Sequence, residues 1–559
     1  MNMTDGRLKI VILTGQDSAS TCLFISKLIN LPQVEIVGIL LESQPQSFKR
    51  RLRNLQRNIR REGVSYMPFR LAEFLKDFLN RLAARIVIQE EVVELLRQSF
   101  PERAFCLADI GRLSNIPLLQ VGNLNAEAAA KTLQSFNSDL GVVLGTRILK
   151  RSTFAIPRMG CINLHMGKVP EYRGMPPAFW ELYDGQSTAG ITVHSVDDGL
   201  DTGDILIEGT VSIHPKDSPE TLRKKLEVRS SELLAQCVAE LAQGQAVRRP
   251  QPPSNYKPYT SPTRRQRLQL DKKLGMEQRH TKADILKTVF CLFIYYAGFF
   301  HLVRALRQVA RSSRTCILLY HRVNDLADDV LTADLERFVE QMVTLNKYYT
   351  VISSSEMVGK LKSTKRLPSN SIVIHFDDCY RDVFTNASPI LAQIKFPACC
   401  FVSSGYVDTE RAFPHDADKC PFGMENLRAN DLLGLMEKGF EIGSHTVNHV
   451  DLGRCSDEVA INELVQSKRD LERILDKPVT LFSYPFGKKT TIRPQVVELV
   501  RKANYEAMFS AHGGYVTGKS DLFNLPRVGV SRRFRPLDLL MEIEGVSFGA
   551  LKRHWRDPK

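Results

Sequence analysis

At 559 residues, with 43% hydrophobic and 25% charged side chains, the chain is long enough for at least two globular cores and too apolar to be disordered throughout. A formal net charge of +14 favours anionic partners, whether phosphate, nucleic acid or a membrane surface, without choosing among them. The 11 cysteines are an odd set with no CxxC pair, which argues against a disulfide framework or a thiolate zinc site and fits a reducing compartment. The opening MNMTDGRLKIVILTG carries charged residues where a secretory signal needs an apolar stretch, so it reads as a direct entry into a strand at Leu8–Leu13, in a cytoplasmic protein. Further apolar runs at Val34–Leu41 and Leu140–Leu144 alternate with helical periodicity and predict a mainly parallel α/β sheet. Between them Phe48, Leu52, Leu55 and Ile59 share one face of a helix. Lys49, Arg53, Arg57 and Arg61 share the other, which is either solvated or turned to phosphate or membrane. No GxGxxG follows the first strand, since TGQDSAST has a single glycine, so a dinucleotide fingerprint is absent.

The informative N-terminal segment is Gly160–Leu206. Asn163 and His165 alternate on a short strand and so point to one face, and Asp201 lies in a Gly-flanked loop, GLDTG, able to reach that face. Amide, imidazole and carboxylate together suit acyl transfer to an amine. Asn163 can donate to the developing oxyanion, His165 can add to that, and Asp201 can take the proton that the amine must lose. The spacing alone fits a structural cluster equally well.

Around Arg248–Arg267 the composition turns to Pro, Ser and Arg (RRPQPPSNYKPYTSPTRRQR), which reads as a linker. The apolar stretch Thr288–Val303 falls short of the ~20 residues that span a bilayer. It reads as a helix packed between domains or as one lying at a membrane surface, where the flanking Lys282, Lys287, Arg304, Arg307 and Arg311 suit an anionic leaflet. Strands at Cys316–Tyr320, Ser371–Phe376 and Val479–Tyr484 open a second domain. The expected organisation is therefore 1–247, a linker and apolar helix over 248–315, 316–548, and a basic tail over 549–559, with no internal repeat.

Asp377 and Asp378 end the apolar strand SIVIHF, the place where functional residues collect in α/β folds. His445-Thr-Val-Asn-His449 puts two imidazoles at i and i+4, able to meet on one helical turn. With a carboxylate they make a metal site that leaves a position for water. An isolated HxxxH carries little weight, but four motifs stand in order here: ILLYHRV with His321, HFDDCYRD, EIGSHTVNH and FSYPFG. Together they closely resemble the polysaccharide deacetylase (NodB-homology) family. The resemblance implies a distorted (β/α)7 barrel that removes an acyl group, usually acetyl, from an amino sugar. It implies zinc or a similar divalent ion on Asp378, His445 and His449, with Asp377 as general base. His321 is then the general acid, placed before the double Asp as in circularly permuted members, and backbone near Phe486 steadies the oxyanion. Two positions depart from the pattern. Cys379 replaces a glycine and reads as a packed thiol or a further ligand, and Ser483 replaces an arginine that Arg527 in LPRVGV can supply.

NLHMGKVPEYRG and GITVHSVDDGLDTGDI resemble the formyltransferase family that uses 10-formyltetrahydrofolate, over about Leu8–Leu226. The family's triad falls on Asn163, His165 and Asp201, and the PEYRG loop and His194 match in positioning roles. The implied fold class is α/β, a Rossmann-like formyltransferase domain followed by the deacetylase barrel. The tRNA-type members carry an extra C-terminal β-barrel module, whereas this chain enters its Pro/Arg stretch after Gln243. The expected acceptor is thus an amino sugar carried on a nucleotide or lipid phosphate, with no specific nucleic acid. The joint expectation is a bifunctional enzyme acting in the cytoplasm or at the inner face of the membrane. The alternative leaves the deacetylase as the only catalyst and makes the N-terminal domain a non-catalytic binding or scaffold module.

Overall fold

The structure is a computed structural model, and it describes residues 6–43, 48–63, 66–275, 281–309, 313–327, 329–378, 380–532, 534–547 and 550, with side chains left out at 48–52, 54, 55, 66, 68, 69, 281–284 and 308. Cys379, Arg311, the tail beyond residue 550 and the side chains of Phe48, Lys49, Leu52, Leu55 and Lys282 therefore lie outside the described residues. Of the described cysteines, Cys400 is disulfide-bonded, which departs from the reduced set expected from the sequence.

The chain divides into two compact units, Met1–Phe69 with Pro101–Gln278 and Arg70–Phe100 with Arg279–Lys559. In the first, β1 (Leu8–Thr14), β2 (Val34–Glu42), β3 (Leu118–Val121), β4 (Leu140–Leu144), β5 (Cys161–His165), β6 (Thr188–Ser195) and β7 (Ile205–Ser212) form one sheet in the order β3-β2-β1-β4-β5-β6-β7. The first five are parallel and β6 and β7 run antiparallel, so the mainly parallel sheet expected from the alternation of apolar runs is present. Ile10, Ile12, Val142 and Leu144 share one buried cluster with Leu222, Leu226 and Leu234 of the helix Pro219–Ala242, whose start is fixed by the Ser218 side chain and by Pro219 in its first turn. Each such side chain, once buried, contributes about 1.5–3 kcal/mol.

Two boundaries differ from the expected ones. The Pro-rich stretch is not a free linker, because its backbone pairs at Arg249 with Ile205 and at Tyr259 with Gly174. The Tyr259 ring stacks on Trp180 at 4.7 Å, and Leu270, on the helix Arg264–Lys273 that follows, is buried in the first core. Proline keeps this stretch out of helix and sheet without preventing it from docking. Conversely, Arg70–Phe100 belongs to the second unit. There Leu79, Ala83, Val92 and Leu95 are buried, Gln89 bonds Glu340 at 3.4 Å and Arg535 bonds Asn80 at 2.8 Å.

The second unit is built on a sheet whose strands follow the order Ala507–Phe509, Leu481–Ser483, Phe440–Ser444, Ala398–Val402, Ser371–Phe376, Arg314–Tyr320 and Val516–Thr517. All pairings along it are parallel except the last. Among the described residues its two ends are not paired to each other, so the expected distorted barrel takes the form of a curled half-barrel. Parallel strands buried on both faces need continuous apolar runs, and SIVIHF is buried throughout.

Just beyond the double aspartate, Asp382 is buried and accepts from the Val323 N–H at 3.1 Å and from the Asn324 amide, which fixes the chain that follows His321. Its other oxygen has no partner, and burial pushes its pKa up to about 7. A free chain has a value near ~3.9, so the folded form binds a proton that the unfolded form has lost. Stability therefore falls as pH rises from about 4 to about 7 and stays reduced above that. Asp382→Asn mimics the protonated group, so the gap between denaturation midpoints at pH 5 and pH 8 should narrow in this variant; an unchanged gap would contradict the assignment.

Candidate active sites

In the first unit β5 carries Asn163 and His165 to one face, and His194 on β6 lies directly across from Asn163. Asp201 joins them from the loop before β7, where it adopts a left-handed backbone, φ 53°. The loop is held at both ends of that residue: the Gly174 N–H donates to Asp201 Oδ2 at 3.2 Å, and the Gln251 amide donates to the carbonyls of Asp201 and Gly203 at 2.9 and 2.8 Å. Gly174 must be glycine, since φ is 97° and a Cβ would stand 2.2 Å from the Tyr259 carbonyl oxygen.

The hydrogen bonds fix both ring tautomers. His194 Nδ1 lies 2.8 Å from the Ser195 carbonyl and must donate to it, so Nε2 is the acceptor facing Asn163 Nδ2 at 3.2 Å. Asn163 Nδ2 also donates to Asp201 Oδ1 at 3.4 Å. His165 Nε2 donates to the Tyr172 carbonyl at 2.8 Å, which leaves Nδ1 turned to Asp201 Oδ2 at 3.7 Å. Burial lowers the His165 pKa, against the pull of Asp201, so the ring is neutral and offers a lone pair toward Asp201. The oxyanion contribution expected of His165 therefore needs a proton first, and the two Asn163 N–H groups, which at rest point to His194 Nε2 and Asp201 Oδ1, donate to an oxyanion once one of those contacts is released. Burial pushes the Asp201 carboxyl up, but the neighbouring His194 and His165 rings and the Gly174 N–H bring it below its ordinary value.

In the second unit Asp377 and Asp378 leave the strand Ser371–Phe376, Asp378 in a left-handed backbone at φ 63°. The HTVNH motif is not a helical turn. It is a loop after the strand Phe440–Ser444, bent through left-handed Thr446 and His449 at φ 67° and 53°. Glu463 holds it there, accepting from the N–H groups of Val447 and Asn448 at 2.8 Å each. An interaction from a helix farther along the chain thus replaces the local geometry that the spacing suggested.

Asp378, His445 and His449 bring one ligand atom each to within 4.8 Å of one another and are all buried. Asp378 Oδ1 stands 3.5 Å from His445 Nε2 and 3.1 Å from His449 Nε2, yet it is buried without a hydrogen-bond partner. His445 Nδ1 donates to the Ser483 carbonyl at 2.7 Å, which leaves the Nε2 lone pair for the shared centre. Two imidazoles and an unpartnered carboxylate oxygen fit a divalent cation.

Asp377 is held by Arg527 through two bonds of 2.7 and 2.6 Å, and Ser483 Oγ donates to it at 3.1 Å. Arg527 thus stands beside the serine that replaces the expected arginine. Burial alone pushes the Asp377 carboxyl up, but Arg527 and then His445 bring it to about 2. His321 is pushed down to about 4 by burial, and its Nδ1 has no partner. Phe486 has a left-handed backbone and sets its ring 4.9 Å from that of His449, at the mouth of the site. His415, which no sequence motif singled out, lies 3.2 Å from Asp378 Oδ2. Gln251 and Glu463 carry no motif signal for the same reason, since each acts through a contact distant in sequence, whereas Tyr172 lies in the PEYRG loop and acts through its backbone carbonyl.

Arg527 and Asp377 are both buried, so removing one strands the other. Arg527→Leu should cost about 3–5 kcal/mol in denaturant unfolding, and adding Asp377→Asn should recover part of the loss. Equal losses in the single and double variants would contradict the pairing.

The sequence pattern of the Formyl transferase family matches residues 9–238, and that of the Polysaccharide deacetylase family matches residues 364–508. Methionyl-tRNA formyltransferase of Thermodesulfovibrio yellowstonii is 36% identical over 137 residues, 24% of this chain and 44% of that protein. The Thermosynechococcus vestitus protein of the same name is 37% identical over 148 residues, 26% and 43% of the two chains. The chain thus spans less than half the length of these curated relatives. Among solved structures, a Streptococcus pyogenes deacetylase in complex with acetate aligns at 22% identity and a TM-score of 0.37, over 42% of this chain and 99% of that one. Glycinamide ribonucleotide transformylase 1 from Symbiobacterium toebii aligns at 15% and 0.30, over 45% and 97%. Motifs, geometry and family matches meet on one conclusion: this chain joins a formyl transferase domain to a polysaccharide deacetylase domain.

Proposed function

We propose that the protein removes an acyl group from an amino sugar at the site around Asp378 and transfers formyl from 10-formyltetrahydrofolate to an amino sugar at the site around Asn163. The observation that carries this reading is the completeness of both donor sets in one chain. An unpartnered Asp378 oxygen faces two imidazoles, and Asn163, His165 and Asp201 lie within 3.7 Å contacts of their neighbours.

For deacylation Asp378, His445 and His449 would hold a divalent cation, zinc in our reading, which would supply Lewis acidity and acidify water. Asp377 takes the proton of the attacking water while Arg527 and Ser483 keep its carboxylate aimed. His321, left neutral at rest by burial, takes up a proton before it acts as general acid and delivers that proton to the departing nitrogen, and the backbone at Phe486 faces the carbonyl oxygen. For formylation Asn163 Nδ2 donates to the formyl oxygen as charge grows there. Asp201 accepts the proton of the amine, and the neutral His165 Nδ1, 3.7 Å away, takes it on. A cavity of about 470 Å³ is lined by Tyr172, Tyr256, Tyr259, Glu171 and Asp184, and its link to this site is Tyr172, whose carbonyl accepts from His165.

Order follows from the chemistry, because an acylated nitrogen has no free lone pair to offer the formyl donor. With an N-acetyl sugar, zinc and formyltetrahydrofolate, mass spectrometry should find the N-formyl product, with the free amine short-lived. Asp377→Asn should keep bound metal, lower deacylation by ~10²–10⁴, and leave formylation of a supplied amine intact. Asp201→Ala should stop at the amine. Formylation of methionyl-tRNA and of no amino sugar would overturn the acceptor, and no formyl transfer at all would leave the deacetylase as the only catalyst.

We further propose that the enzyme works at the inner face of the cell membrane, resting on its second unit. No single helix among the described residues is long and apolar enough to cross a bilayer, but Ile285–Tyr296 and Phe299–Arg307 form an apolar pair bent by 60°. Its outer side exposes Leu286 (72%) and Phe293 (67%), and the helix Tyr66–Ala84 exposes Phe74 (69%) and Phe78 (51%). Arg535 ties the inner sides of both, bonding Asn80 and Thr288 at 2.8 and 2.9 Å. Arg81 on the helix Tyr66–Ala84, with a net charge of +14 over the chain, suits an anionic surface. The protein should sediment with phosphatidylcholine vesicles containing phosphatidylglycerol, and Phe74→Ser with Phe293→Ser should release it. Binding unaffected by that double substitution would contradict this face.

A further inference from the structure

Asp378 uses its two oxygens differently. Oδ1 faces His445 and His449 and has no hydrogen-bond partner, whereas Oδ2 lies 3.2 Å from His415 Nε2. His415 comes from the long connection between the strand Ala398–Val402 and the helix Ala429–Glu437, outside every motif that marks the site. Its ring is set 5.5 Å from Phe413 and 5.0 Å from His449, and its Nδ1 is buried without a partner.

The connection is anchored by a network of charges that the chemistry above does not use. Arg322, fully buried, donates to Asp416 at 2.7 Å and also pairs with Asp329, and Lys419 reaches Asp416 at 2.7 Å and Asp329 at 3.2 Å. Tyr380 donates its hydroxyl proton to Asp416, so its oxygen, 3.3 Å from His415 Nε2, can only accept from that nitrogen. Asn426 closes the other end of the connection, donating to the Arg411 carbonyl at 2.8 Å. Among the described residues, the polar neighbours of His415 Nε2 are thus acceptors: Asp378 Oδ2, the Tyr380 oxygen and, at 3.7 Å, Asp416 Oδ2. The ring nitrogen that faces Asp378 carries a proton and donates it.

We propose that His415 is a positioning residue of the metal site: its Nε2–H fixes Asp378 Oδ2, so that Oδ1 is presented to the cation beside His445 and His449. The buried network of Arg322, Asp329, Asp416, Lys419 and Tyr380 exists to hold that imidazole. A carboxylate that loses such a partner turns about its Cβ–Cγ bond and is a poorer ligand, which weakens metal binding about 10–100-fold in comparable sites. This inference rests on the reading of Asp378, His445 and His449 as metal ligands.

The test uses the full chain, stripped with a chelator and titrated with Zn²⁺ against a chromophoric competitor. Wild type should bind one Zn²⁺ tightly. His415→Ala should bind it about 10–100-fold more weakly. His415→Gln, whose amide N–H can reach Oδ2, should stay within a few-fold of wild type, and far-ultraviolet circular dichroism should report the same fold for all three. The visible spectrum of the Co²⁺ form should be alike in wild type and both variants, because the ligand set is unchanged. The proposal is overturned if His415→Ala binds Zn²⁺ as wild type does. It is overturned equally if both variants lose affinity alike and the Co²⁺ spectrum shifts, for His415 is then itself a ligand. Failure of the underlying reading looks different, because wild type would then take up no stoichiometric Zn²⁺.

Discussion

Two adjacent carboxylates taken out of water are the constraint around which the second unit is arranged. An isolated buried carboxylate would lose its charge. Each aspartate keeps it by a different route. Asp377 is met by a guanidinium that is itself fully buried and donates its Nε–H to the Ser510 carbonyl. Asp378 is met by three imidazoles, and burial is outweighed so far that its pKa lies well below the ordinary carboxylate value. The difference is functional. A carboxylate fully satisfied by arginine is held in place as a base, while one with an oxygen left unpartnered is available to a cation.

The first unit solves a smaller version of the same problem. Asp201 sits near two imidazoles, and no arginine or lysine among the described residues is paired to it, so the charge around it can move. Both rings have one nitrogen committed to a backbone carbonyl, which leaves the other nitrogen of each directed at the reacting face. Backbone carbonyls cost nothing in specificity and cannot titrate, so they fix a tautomer across the working pH range. The loop that brings Asp201 in is held by Gln251, a residue of the Pro-rich stretch, and so the segment that reads as a spacer is part of the site.

What was legible in the sequence followed from periodicity and from short local motifs. Alternation along β5 put Asn163 and His165 on one face, and the buried run SIVIHF placed the double aspartate at a strand end, because both are properties of a strand alone. The HTVNH motif was read correctly as a pair of imidazoles that meet and wrongly as a helical turn, since the spacing of i and i+4 is shared by a loop bent through left-handed residues. The departure at Ser483 was resolved by Arg527, forty-four positions farther on, through a 2.8 Å bond that only the folded sheet creates. His415 and Glu463 left no trace in the sequence, for each works by contact with a motif that it does not belong to. The unit boundaries were hidden for a related reason: composition reports what a stretch of chain cannot form by itself, and says little about what it will pack against.

The chain passes between the two units three times, after Phe69, Phe100 and Gln278. A cut near residue 248, where composition suggests a boundary, would separate Arg70–Phe100 from the core that buries Leu79, Val92 and Leu95, and would remove Tyr259 and Leu270 from the first. Each fragment would then expose apolar surface worth about 1.5–3 kcal/mol per large side chain. Loss of activity in such a fragment would therefore report unfolding as readily as chemistry. Point substitutions that leave the volume of the core unchanged separate the two activities more cleanly, because the residues that carry charge at each site are few, are held by named partners, and lie in cores that do not share them.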